Sequence, residues 1–328
     1  MANFQVTPGK TGLPVQQTLQ PAEVVNEPRR RQNFLQRATR PQYLLIMPAI
    51  LVLGFITIYP FLQALRESLF GVTIQNYFDA PFVGLQNYSA TLQDPTFWSS
   101  LTVSLIYVVA AVTLEFLLGL GLALLLDRLL FGKRLIILLL IAPMFVAPVL
   151  IGYSFLLQLD PLNGPIPYWL STYLHFTFHN EGPLGPHYAL PTVILVDVWQ
   201  WTPFMLVLLY AGLQTVPQEV VEAARVDGAH GFRLLLQIIL PLLRPVIAIA
   251  VLFRTVDAFR VFDSIHVLTD GGPQNATSTI SVFIDHTAFL AGNFGEAASI
   301  SVLLIVVVTI VARLLVRFLF GQQISATR

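Results

Sequence analysis

Residues 212–245 read GLQTVPQEVVEAARVDGAHGFRLLLQIILPLLRP. A short polar segment here sits between two long apolar runs. Pro217 suits the first turn of a helix, where its missing N–H costs nothing. Glu219 and Glu222 follow near the positive end of that helix's dipole. Val220, Val221, Ala223 and Ala224 give it a small, close-packing face, and Gly228 is placed to cap its C-terminus. Such a helix is too short to span a bilayer and too apolar to stand free in water. Ala223 and Ala224 would let another surface approach closely, so the segment asks for something to dock against.

Outward from this loop, the apolar runs repeat. A hydrocarbon core about 30 Å thick needs roughly 20 apolar helical residues. Six segments of the 328-residue chain qualify, at about 42–64, 100–126, 135–159, 189–212, 243–265 and 299–320. Only 11% of residues are charged, against about 25% in soluble domains. Run length and the lack of ten-residue alternation favour helices over a barrel. The expectation is an all-α membrane protein with six transmembrane helices, occupying residues 41–321 with its loop at 213–243. Residues 1–40, with four prolines and then Arg29, Arg30, Arg31, Arg37 and Arg40, read as a disordered tail. Residues 322–328 form a second, short tail. Zero net charge gives no reason to expect nucleic acid, and zero cysteines exclude thiol chemistry.

Lys and Arg in the flanks set orientation. Six precede the first span, while the connections at about 160–188 and 266–298 have none. Arg128, Lys133, Arg134, Arg225, Arg233, Arg244 and Arg317 fall in the second and fourth connections and at the C-terminal end, all on the side of the tail, while the first connection has only Arg66. This places both termini in the cytoplasm.

Glu222-Ala223-Ala224, three residues, Gly228, nine residues, Ile238, one residue and Leu240-Pro241 resemble the EAA loop of ATP-binding-cassette (ABC) importer permeases. Phe82-Val83-Gly84-Leu85-Gln86-Asn87-Tyr88, Leu138 to Pro148 and Leu268-Thr269-Asp270-Gly271-Gly272-Pro273 resemble the carbohydrate branch, the maltose-, trehalose- and glycerol-phosphate-type permeases. The resemblance runs from about residue 42 to the end of the chain. It implies the type I ABC importer permease fold. It also implies a coupling helix, drawing on Glu219, Glu222, Ala223, Ala224, Asp227 and Gly228, that sits in a groove on an ATPase subunit. The implied partners are a second homologous permease, two ATP-binding-cassette ATPases, an extracellular or periplasmic sugar-binding protein and membrane lipids. ATP and Mg would be held by the ATPases, with no cofactor on this chain. The sequence agrees on one point of its own. Gly9-Lys10 has Phe4 where a phosphate-binding loop needs its leading Gly, and Gly132-Lys133 is followed by Arg134 rather than Ser or Thr.

Polar residues inside spans invite a functional reading. Asp197, Gln200, Trp201 and Phe204 fall at i, i+3, i+4 and i+7, one helical face with hydrogen-bonding groups and aromatic rings suited to a sugar. Arg254 lies about 16 Å into the fifth span at 1.5 Å per residue. Arg254 with Asp257, and Arg260 with Asp263, are spaced to neutralise each other; pairing and ligand contact both remain open. The resemblance carries a sugar site onto Phe145, Val149, Asp197, Gln200, Trp201, Phe204, Arg254, Ala258 and Val261, and Asp257 joins it beside Arg254. Glu115 stands alone near mid-helix, suited to bonding a neighbouring helix that Gly119 and Gly121 would let come close. His175 and His179 are the only histidines at i,i+4, in a Gly- and Pro-rich loop that does not suit zinc. The cargo reads as a disaccharide such as trehalose or maltose, although the charges allow a phosphorylated polyol. A proton-coupled secondary sugar carrier using Glu115, Asp197 and the ion pairs of the fifth span is the alternative.

Overall fold

The computed structural model describes residues 41–129, 131–178 and 181–324. The tail at 1–40, the last four residues and His179 lie outside the described residues. Every regular element among the described residues is helical, apart from a lone bridge between Phe70 and Phe82. The chain divides between Thr57 and Ile58, inside helix α1 (Pro41–Glu67), which is apolar and long enough to cross a membrane from Ile46 onward.

The second unit, from Ile58 on, holds the core. Its axis is the pair α3 (Pro95–Arg128) and α7 (Ala189–Leu213), which pack along each other. Without a hydrophobic drive between helices in lipid, close approach depends on small residues. Ala111, Gly119 and Ala123 supply it. A Cβ on Gly119 would sit 2.6 Å from Cβ of Met205 on α7. Gly121, by contrast, faces open space; of the two glycines read as helix-approach points, only Gly119 meets another helix. α10 (Leu240–Ala258) lies against both α3 and α7, and α13 (Phe294–Ile324) lies against α10. α2 (Gln86–Gln93) packs on α13.

Two expected spans are not straight helices. The run at 135–159 is α4 (Lys133–Ile141), a single 3₁₀ turn at Ala142–Phe145, and α5 (Pro148–Gln158), bent by 94°. Pro143 and Pro148 cause the break, because neither offers an N–H and each ring crowds the preceding turn. Among the described residues, five helices are long and apolar enough to cross a membrane alone, and six if this bent pair is one span. The run expected at 243–265 begins earlier and ends earlier. α9 (Gly231–Leu234) continues through a π turn at Leu235–Ile239 into α10, which stops at Ala258. The π turn lies directly before Pro241, where the missing N–H interrupts the ordinary ladder anyway.

Past Ala258 the chain turns and restarts as α11 (Asp263–Leu268), which packs on α5; Gly152 faces Val267 and Ser264. α6 (Pro165–Leu174) and α12 (Ile280–Asp285), the latter running into a π turn at His286–Leu290, fill the long connections. Asp270 and Gly271 turn at positive φ. Oδ1 of Asp270 meets His266 Nδ1 at 2.8 Å and His286 Nε2 at 3.1 Å. The bonds from His286 and His266 hold this exposed carboxyl below its ordinary range.

Gly119→Val should destabilise the purified protein by about 1–3 kcal/mol, as overpacking does. Gly121→Val should have little effect. Thermal unfolding in detergent measures both, and equal losses would contradict the packing described.

Candidate functional site

A charge taken out of water is tolerated only if it is matched. Arg254 on α10 is 2% exposed and has three carboxylates around it. Glu115 on α3 takes it bidentately, accepting from Nε at 2.8 Å and from Nη2 at 2.9 Å. Asp197 on α7 accepts from Nη2 as well. Asp257, one turn along α10, accepts from Nη1 at 2.9 Å. The guanidinium carbon also stands 5.1 Å from the ring centroid of Trp201. One cation therefore ties together α3, α7 and α10. The fully buried Tyr107 lies beside Asp197.

The expected pairing of Arg254 with Asp257 is present, but as the most exposed bond of the cluster. The expected pair Arg260–Asp263 is not formed: neither side chain has an ion pair among the described residues. The i,i+3 geometry fails because α10 ends at Ala258 and α11 starts at Asp263, so no helix joins the two residues. Glu115, read as a lone acid, is the bidentate partner of Arg254.

Beside this cluster lies a cavity of about 210 Å³. Asp197, Gln200, Trp201, Arg254, Asp257 and Val261 line it, joined by Pro148, Arg260, Phe262, Asp263 and Ser264. Gln200 also secures its wall: Nε2 donates to the carbonyl of Val146, 3.1 Å away, in the break between α4 and α5. The other expected site residues stand elsewhere. Phe145 and Val149 are exposed at that break, and Ala258 is buried. Phe204 packs on Phe253, with ring centroids 5.2 Å apart. Pro148, Phe262 and Ser264 escaped the sequence reading. Their places depend on the bend before α5 and the turn before α11, and the turn carries no Gly or Pro to announce it.

The loop helix is α8 (Gln218–Val226). Pro217 is its N-cap, with ψ 124°, not its first helical residue. At the other end the N–H of Ala229 donates to the carbonyl of Ala224 at 2.9 Å, and Gly228 turns at φ +86°. Val221 and Ala224 are buried on Leu234, with Val216, Ala229, Ile238 and Ile239 around them. Ala224 is thus part of the helix's own seat rather than a contact point for another surface. Glu219, Glu222, Ala223, Asp227 and Gly228 remain exposed. Val226 is 87% exposed and Phe232 72%, an unusual pair of bare apolar groups beside these acids.

Residues 116–321 match the family model described as binding-protein-dependent transport system inner membrane component. The chain is 38% identical to a trehalose transport system permease protein of Mycobacterium tuberculosis, over 86% of this chain and 89% of that one. It is 37% identical to a trehalose/maltose transport system permease protein of Thermococcus litoralis, over 83% and 91% respectively. Its fold is similar to a chain in the crystal structure of a bacterial alginate ABC transporter in complex with alginate pentasaccharide-bound periplasmic protein. There the TM-score is 0.72 at 19% identity, covering 86% of this chain and 94% of that one.

Arg254→Leu leaves Glu115 and Asp197 buried without a counter-charge and should destabilise the protein by about 3–5 kcal/mol. Asp257→Asn, at the wetter edge of the cluster, should cost less than about 1 kcal/mol. Thermal unfolding of the purified variants tests the order, and the reverse order would refute the cluster's role.

Proposed function

The chain belongs to the family of binding-protein-dependent transport system inner membrane components, and from that membership we propose that it is a permease subunit of an ABC importer carrying a carbohydrate into the cytoplasm, a disaccharide of the trehalose or maltose kind. The observation that carries this reading is α8. It is a nine-residue helix whose apolar underside is spent on its own bundle and whose acidic upper face is left uncovered. A helix so held is suited to transmit force, because Val221 and Ala224 are packed against Leu234 at the start of the α9–α10 rod. The cavity supports the carbohydrate part: carboxylates and an amide for hydroxyls, and an aromatic ring for the apolar face of a sugar.

On this reading ATP is hydrolysed by two separate ATPase subunits, each engaging one permease through a helix such as α8. Glu219, Glu222, Ala223, Asp227 and Gly228 form the coupling face here. A second, homologous permease completes the pathway, and a sugar-binding protein delivers cargo at the end of the bundle far from α8. Both termini face the cytoplasm. A cavity of about 210 Å³ falls short of the roughly 300–1,000 Å³ of a whole ligand pocket. It suits one sugar ring, with the rest of the cargo held by the partner permease. The secondary-carrier alternative draws less support. Its proposed proton carriers Glu115 and Asp197 are both committed to Arg254.

Gly228→Val puts a β-branched residue at φ +86°, where such residues are strained. In the reconstituted importer, Gly228→Val and Glu222→Lys should lower sugar uptake at least about tenfold. ATP hydrolysis and membrane insertion should be retained. Normal uptake by both variants would overturn the coupling role.

A further inference from the structure

The charges around the cavity do not balance. Asp197, Asp257 and Asp263 line it against Arg254 and Arg260. Glu115, fully buried, stands behind Arg254 and takes two of its donors. Four formal negative charges therefore face two positive ones among the described residues at this site. The two arginines are not equivalent. Arg254 has its guanidinium occupied by Glu115, Asp197 and Asp257, and Trp201 stands beside it. It has little left for a ligand. Arg260 has no ion pair among the described residues, but it shares the cavity with Asp257 and with Asp263, which has none among them either.

Asp197 and Arg254 are buried and Asp257 half-buried, so charge there is screened less than in water, while Arg260 and Asp263 are exposed. A phosphate or carboxylate entering the cavity would meet Asp197, Asp257 and Asp263, with Glu115 behind them, against Arg254 and Arg260. A neutral hydroxylated ring meets acceptors at Asp257 and Asp263, donors at Arg260, and no charge conflict.

We propose that this cavity is a charge filter: it admits a neutral or cationic sugar ring and rejects an anionic one, with Asp257 and Asp263 as the residues that set the discrimination. The inference rests on the carbohydrate reading of the cavity and sharpens it, since a phosphorylated polyol would be excluded at this end of the cargo. Arg260 holds the two carboxylates' excess in check, so its loss strengthens the filter rather than opening it to anions.

The test is equilibrium binding to the assembled importer complex in lipid nanodiscs, without nucleotide or binding protein. The probes are trehalose, trehalose 6-phosphate and 6-amino-6-deoxytrehalose, a steric series with three charges. The unmodified complex should bind the amino sugar at least as tightly as trehalose, and the phosphate at least about tenfold more weakly. The double variant Asp257→Asn, Asp263→Asn should shrink the ratio between trehalose and its phosphate by at least about fivefold, whatever happens to either affinity alone. Asp263→Asn by itself, at the exposed start of α11, gives a version of the test less sensitive to folding and should move the ratio the same way. Arg260→Gln should widen it. Phosphate binding as tight as trehalose, or a ratio indifferent to the aspartate variants, overturns the filter while leaving the sugar site standing. Failure of all three probes to bind overturns the carbohydrate reading itself, and the filter with it.

Discussion

Arg254 is the constraint around which the bundle is arranged. A guanidinium buried among apolar helices must be matched, and its matches come from three different helices. Glu115 ties it to α3, Asp197 ties it to α7, and Asp257 takes its remaining side from within α10. In lipid, dispersion and small-residue packing bring helices together but do not strongly choose their rotation. A cluster of directional, charge-assisted bonds does choose it. The cavity is a by-product of that choice. It opens where the cluster's most exposed member, Asp257, meets the turn after α10 and the broken segment before α5.

That broken segment shows how irregular backbone is made tolerable inside an apolar bundle. Interrupting a helix leaves carbonyls unmatched, which is costly away from water. Gln200 donates to Val146 at the interruption, so a side chain that belongs to the cavity also satisfies the backbone that walls it. Wall and lining are therefore coupled: a residue at position 200 that could not donate would loosen both.

The sequence made some of this legible and hid the rest for physical reasons. The apolar runs and the helix of the 212–245 loop depend on local periodicity, and the all-helical membrane fold follows from them. Asp197, Gln200 and Trp201 were legible as a shared face because helical spacing alone places them together. The bond between Glu115 and Arg254 was not legible, since 139 residues separate them and nothing local announces which acid a buried arginine will find. The turn at Phe259–Phe262 was hidden because it contains no proline or glycine, and with it went the true setting of Arg260 and Asp263. Pro143 and Pro148 were visible as residues, but that they would bend a span by 94° depends on α7 being there to support the break.

The π turn at Leu235–Ile239 carries a geometric consequence of its own. Such a turn is an α-helix holding one surplus residue, and one residue of helix is worth about 100° of rotation and 1.5 Å of length. Since α8 is packed onto Leu234 just upstream and onto Ile238 and Ile239 of the turn itself, that surplus contributes to the azimuth at which its acidic side points away from the bundle. Losing or gaining a single amino acid in this stretch would swing the loop helix like a compass needle while Arg254 and the cavity, downstream, stayed where they are. Insertions and deletions at 235–239 thus offer a lineage a means of re-aiming one surface of the protein without redesigning the other.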